Sequence, residues 1–155
     1  MLNAADIFTE EAIDTAYIWL CKSRANFPPN ADIWHLRFHW SIIREQLLQS
    51  LNNQSYTFLP LSAVTKASGK TIHLWSSKDA LVLKVLAMSL PCALGLSTHC
   101  THIKGHGGLK ATVNAVQAAL PEYGFVMKTD VRHYYESIDH KVLLEQLDSV
   151  RRQLS

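Results

Sequence analysis

The sequence predicts an α+β protein, and three observations predict it. Apolar residues recur at three- and four-residue spacing in several stretches, most clearly at Ile33, Leu36, Trp40, Ile43, Leu47 and Leu51. Two short extended runs flank the turn Ala67-Ser68-Gly69-Lys70, and a third, Tyr123 to Val131, is apolar and β-branched. Helix, hairpin, helix and strand mixed in this way make an α+β chain. With 155 residues, 48% apolar and 18% charged, it has globular composition and can bury a core without disulfide or metal staples.

Residues 9–24 read as a helix opening at Thr9-Glu10-Glu11, with acids in the first turn where the helix dipole favours them. Pro28 and Pro29 stop it. A second helix follows Asn30 and carries the stripe from Ile33 to Leu51 without a break. Tyr56 to Leu61 and Val64 to Lys66 read as extended, and Thr71 to Trp75 returns as a strand, giving a lysine-bearing hairpin. Ser76-Ser77-Lys78-Asp79 has the shape of a capping box with Asp in place of Glu, opening an apolar helix that ends near Leu90, before Pro91. Pro91 to Gly108 reads as irregular, Leu109 to Leu120 as a helix, Tyr123 to Val131 as a strand and Lys141 to Val150 as a helix.

The stretch Ala80 to Leu90 is interrupted by Lys84 and too short to cross a bilayer, and MLNAADIFTEEAID has no basic head before an apolar run. Cys21, Cys92 and Cys100 are an odd number without framework spacing, which suits a reducing interior. A soluble, cytoplasmic protein with no membrane partner is expected. The charge is unevenly placed: residues 56–121 hold Lys66, Lys70, Lys78, Lys84, Lys104 and Lys110 against Asp79 alone. Such a stretch presents either a cationic surface to phosphates or a solvated face of scattered lysines.

The strand ending Lys128-Thr129-Asp130-Val131 is apolar until it delivers one carboxylate near its end. An Asp at that place is suited to a hard cation, or caps the turn that follows. The run KTDVRHYYESIDHKVLLEQL resembles the first catalytic motif of reverse transcriptases, especially the bacterial group II intron and retron-like branches. Upstream, YTFLPLSAVTKASGKTIHLWSSKDALVLKVLAMSL resembles their fingers region, and CTHIKGHGGLKATVNAV their Gly-rich loop before a helix. The likeness covers about residues 55–150, with the three blocks in order.

The resemblance implies a helical N-terminal region at 1–54, a fingers-like region at 55–121 and the first part of a polymerase palm at 122–155. It implies RNA-directed DNA polymerase activity: Mg²⁺-dependent nucleotidyl transfer from a dNTP to a DNA primer 3′ end on an RNA template. Carried over, Asp130 is a ligand of both catalytic Mg²⁺ ions, with the Val131 carbonyl a further ligand. Tyr135 is the ring under the incoming sugar, or core packing. Lys66 and Lys70 face template or triphosphate, and His73 stands where related enzymes carry an Arg. Lys78, Lys104 and Lys110 are the further nucleic-acid-binding candidates. These 155 residues lack the later Tyr-x-Asp-Asp hairpin that brings the other carboxylates, and one carboxylate cannot hold a metal pair. The expectation is therefore a truncated or split polymerase, inactive alone, with a complementing fragment as partner. The alternatives are a non-catalytic nucleic-acid-binding module and an inert remnant. Asp139, at a helix start, reads as an N-cap. Cys92, His99, Cys100, His102 and His106 lack the spacing of a zinc site. Trp19, Trp34, Trp40 and Trp75 read as core.

Overall fold

Seven α-helices, one 3-10 turn and a single two-stranded antiparallel sheet make up the residues that the computed structural model describes, 4–94, 96–103 and 105–153. The architecture is α+β, as the sequence predicts. The chain divides into two units, Leu2–Ala93 and Leu94–Ser155, so the N-terminal helices and the hairpin belong to one unit.

In the first unit, α1 (Ala4–Ile7) leads into α2 (Glu10–Ser23), whose N-cap Thr9 accepts a hydrogen bond from the Ala12 amide at 3.2 Å. The expected second helix is two helices, α3 (Asp32–Phe38) and α4 (Trp40–Asn52). They part at His39, where the backbone leaves helical geometry at φ −101° and ψ 22°. The break loses little, because the His39 amide still reaches the His35 carbonyl and the Ile43 amide the His39 carbonyl. It goes with two contacts to α2. Trp40 stacks on Tyr17 with ring centroids 3.8 Å apart, and Arg44 clasps Asp14 through Nε at 2.8 Å and Nη2 at 2.9 Å, and Glu10 at 2.9 Å. Periodicity alone runs straight through such a break, because both halves keep their apolar face inward.

The turn from Lys66 to Lys70 joins β1 (Ser62–Thr65) to β2 (Thr71–Leu74), in the register Ser62↔Leu74, Ala63↔His73, Val64↔Ile72 and Thr65↔Thr71. The Gly69 amide bonds to the Lys66 carbonyl and the Lys66 amide to the Lys70 carbonyl, both at 2.9 Å. Gly69 sits at φ 78°, a left-handed position that a side chain would strain. Helix α5 (Ser77–Ala93) runs past the expected stop and takes Pro91 into its last turn, where the missing N–H forfeits one hydrogen bond near the end. Leu81, Val82 and Val85 of α5 meet Ile13, Ala16 and Leu20 of α2, Ile33 and Leu36 of α3, and Leu47 and Leu51 of α4 in one buried core. Each such valine, leucine or isoleucine contributes about 1.5–3 kcal/mol by leaving water. No helix among the described residues is long and apolar enough to cross a membrane.

The second unit holds α6 (Gly108–Ala119), the 3-10 turn Leu120–Glu122 and α7 (His140–Gln153). The expected strand from Tyr123 to Val131 does not form among the described residues, whose only ladder is β1 with β2. A strand's amides and carbonyls need a neighbour, and none is supplied to this stretch. Phe125, Val126, Met127 and Val131 are all exposed, as are Leu109, Val113 and Val116 of α6.

The Arg44 clasp makes stability acid-sensitive. Its hydrogen bonds, opposed by partial burial, hold the Asp14 carboxyl below its ordinary value of 3.8, so this stabilisation is present above about pH 4 and is lost as pH falls further. Urea unfolding followed by circular dichroism should show a shallower loss below pH 4 in Arg44→Met than in the parent chain.

Candidate functional site

Two carboxylates fix the start of α5 and, with it, the end of the hairpin. Asp79 is fully buried, and its oxygens accept from the Tyr56 hydroxyl at 2.6 Å, the Ser76 hydroxyl at 2.7 Å and the Leu59 amide at 3.2 Å. The Asp79 amide returns a bond to the Ser76 hydroxyl at 3.1 Å, so the predicted Ser76–Asp79 cap is present and also anchors the strand approach at Tyr56 and Leu59. Asp32, on α3, takes the Ser77 hydroxyl at 2.7 Å and the Ser77 amide. Arg24 completes this knot: its guanidinium donates to Ser77 at 2.7 Å, to the Trp75 carbonyl at 2.8 Å and to Asp32 at 3.3 Å. Burial lowers the pKa of Arg24, and Asp32 opposes that shift.

Held this way, the hairpin carries Lys66 and Lys70 at its turn and His73 on β2, all exposed. His73 shares one face with Ala63, Thr65 and Thr71, and the threonine hydroxyls meet at 3.2 Å. Val64, Ile72 and Leu74 form the other face. Lys78 is exposed in the first turn of α5, and Lys110 in the first turn of α6. Lys104 lies outside the described residues.

In the second unit Asp130 and Val131 are exposed on the unpaired stretch before a run of turns at 132–137. His133 takes a left-handed φ of 52° and its ring lies 3.6 Å from Glu136. The Ser137 hydroxyl closes the turn on the carbonyls of His133 at 2.9 Å and Tyr134 at 3.1 Å. Tyr135 is 83% exposed and meets Tyr134 edge-on, so it is a free ring and not core packing. Asp139 caps α7, accepting from the amides of Lys141 at 2.8 Å and Val142 at 3.2 Å, as its place in the sequence predicts.

No three His, Cys, Asp or Glu side chains converge among the described residues. Asp130 can supply one carboxylate, and a metal pair needs more than one. In the glycine-rich loop, Gly105, Gly107 and Gly108 all have positive φ, and His106 Nδ1 is enclosed without a hydrogen-bond partner. Trp34 and Trp40 pack against the core, whereas Trp19 and Trp75 are 42% and 40% exposed. Trp19 lies under the Lys84 ammonium and Trp75 against the edge of Phe58. No family model matches the chain, and no curated protein or solved structure matches it either.

Sequence reading finds the hairpin lysines and Asp130 but passes over Arg24, Asp32 and Tyr56. Arg24 and Asp32 flank a proline turn and look like ordinary helix-end charges. Only the fold, which brings Ser77 across 53 positions to Arg24, makes them a pair.

Two outcomes follow from these contacts. Burial, then the bond to Asp79, pushes the Tyr56 hydroxyl well above its ordinary value of 10.0. A raised value keeps the neutral phenol, so its stabilisation is complete below pH 10 and is lost above it. Tyr56→Phe should lose about 1–2 kcal/mol in neutral urea titrations and show a smaller alkaline decline. Asp139→Ala should cost about 1 kcal/mol and fray the first turn of α7, read as lower helical ellipticity and faster amide exchange at Lys141 and Val142.

Proposed function

We propose that this chain is the fingers and the start of the palm of a reverse transcriptase-like, RNA-directed DNA polymerase, and that it does not polymerise alone. The single observation that carries the reading is the order of three sequence blocks: the Gly-Lys hairpin with its capped Asp79 helix, the Gly-rich loop before α6, and the Lys128–Leu147 run around Asp130. The geometry is compatible with the first part. The hairpin is a two-stranded element with lysines at its tip, held to α5 and α2 through Asp79 and Arg24. The stretch 124–131 is apolar and exposed and forms no strand, so the palm part of the reading rests on residue order alone.

In this reading Lys66 and Lys70, with His73, Lys78, Lys104 and Lys110, bind the RNA template, the DNA primer and the dNTP phosphates by charge. Asp130 supplies one carboxylate, and Val131 one carbonyl, of a Mg²⁺ site whose remaining ligands these 155 residues do not supply. Magnesium, when bound, would stabilise charge on the attacking and leaving oxygens. Tyr135 lies five residues on, its ring free to meet a sugar.

The test is primer extension on an RNA template. The 155-residue chain should extend nothing. Joined to a segment that carries a paired-aspartate hairpin, it should extend the primer in Mg²⁺, and Asp130→Ala should reduce the rate by at least about 10³-fold. Extension by the chain alone that Asp130→Ala abolishes would overturn the claim of inactivity. Extension by the joined protein that survives Asp130→Ala would overturn the assignment of Asp130.

A further inference from the structure

A cleft of about 500 Å³ opens between the hairpin and the turn that joins α2 to α3. It is lined by Phe27, Asn26 and Asn30 on the turn and by Val64, Leu74 and Trp75 on the hairpin side. Arg24 and Asp32 also line it, and their opposite charges meet at 3.3 Å. Arg24 also lies over the Phe27 ring at 5.2 Å, which fixes one wall. The other wall is fixed because Arg24 holds the Trp75 carbonyl. The rim is different in charge. Strand alternation carries the Val64–Leu74 face on to Lys66 and Lys70, about 7 Å beyond Val64, and residues 56–93 contain no acid other than Asp79, which is buried.

The cleft therefore has two aromatic residues, two asparagines and a paired arginine and aspartate in its lining, with cations one nucleotide step away. We propose that it seats one unstacked base of a single nucleic-acid strand between Phe27 and Trp75, with the flanking phosphates on Lys66 and Lys70. Asn26 and Asn30 face the base edge. A duplex is excluded, since its bases are paired and stacked and present no free face to the two rings. Either an RNA or a DNA strand has the required chemistry, because both offer a base plane and a phosphate on each side. The inference rests on the nucleic-acid part of the polymerase reading, through Lys66 and Lys70, but requires neither Asp130 nor magnesium.

The experiment uses the whole chain, in EDTA and without dNTP, so that its failure bears on the cleft and not on metal chemistry. Anisotropy of fluorescein-labelled 12-nucleotide oligo-U and oligo-dT, with a 12-base-pair duplex for comparison, should show single-strand binding at least tenfold tighter than duplex binding. Phe27→Leu keeps an apolar side chain and should weaken single-strand binding about tenfold. Lys66→Gln with Lys70→Gln should weaken it further and lower the salt slope by about 1.4. Unlabelled strand should quench tryptophan emission in the parent chain, and Trp75→Phe should abolish the quench while preserving binding. If oligo-U binds more tightly than oligo-dT, the natural occupant is RNA; the reverse order assigns DNA. Equal binding of duplex, unchanged affinity in Phe27→Leu, or a quench that survives Trp75→Phe would each overturn the proposal.

Discussion

A carboxylate removed from water must be met by hydrogen-bond donors, and the first unit is organised around Asp79, where that requirement is met. Its donors come from Tyr56, Leu59 and Ser76, so one buried side chain joins the end of the strand approach to the start of α5. Leaving such a group unmatched would cost several kcal/mol, which is why the backbone at Leu59 and the phenol of Tyr56 are drawn to it. The hairpin leaves and re-enters the fold between Leu59 and Ser76. Its position is therefore set at both ends by the same carboxylate.

Arg24 adds a second constraint from the opposite side. It ends α2, spans to Trp75 and Ser77, and is balanced by Asp32 of α3. The apolar core formed by α2, α3, α4 and α5 supplies most of the stabilisation, but apolar contacts are not directional. The two polar knots supply direction. They aim the hairpin, and so its lysines, relative to the helices beneath.

Much of this was legible from residue order. The Ala67-Ser68-Gly69-Lys70 turn read as a hairpin because only a glycine takes φ 78° easily at that place. The caps at Ser76 and Asp139 read correctly because short polar side chains before an apolar run have few other uses. The break at His39 was not legible, since the apolar stripe keeps its spacing on both sides of it. Tyr123 to Val131 read as a strand from composition, but a strand is a relation between two segments, and composition describes only one. Phe27, set among Asn26, Pro28 and Pro29, was passed over, because an aromatic beside a proline turn does not announce the cleft it lines. The second unit leaves its apolar residues exposed on α6, on 124–131 and on α7.

The central claim is that the lysine-tipped hairpin is a surface for nucleic acid, and photocrosslinking tests it most directly. An RNA template carrying 4-thiouridine, annealed to a DNA primer with a single-stranded template overhang, would be irradiated with the purified chain and the adducts mapped by peptide mass spectrometry. The account predicts adducts concentrated at Phe27 and between Lys66 and Trp75, diminishing as salt is raised. Adducts that map elsewhere with the hairpin unmarked, or a yield indifferent to salt, would contradict it.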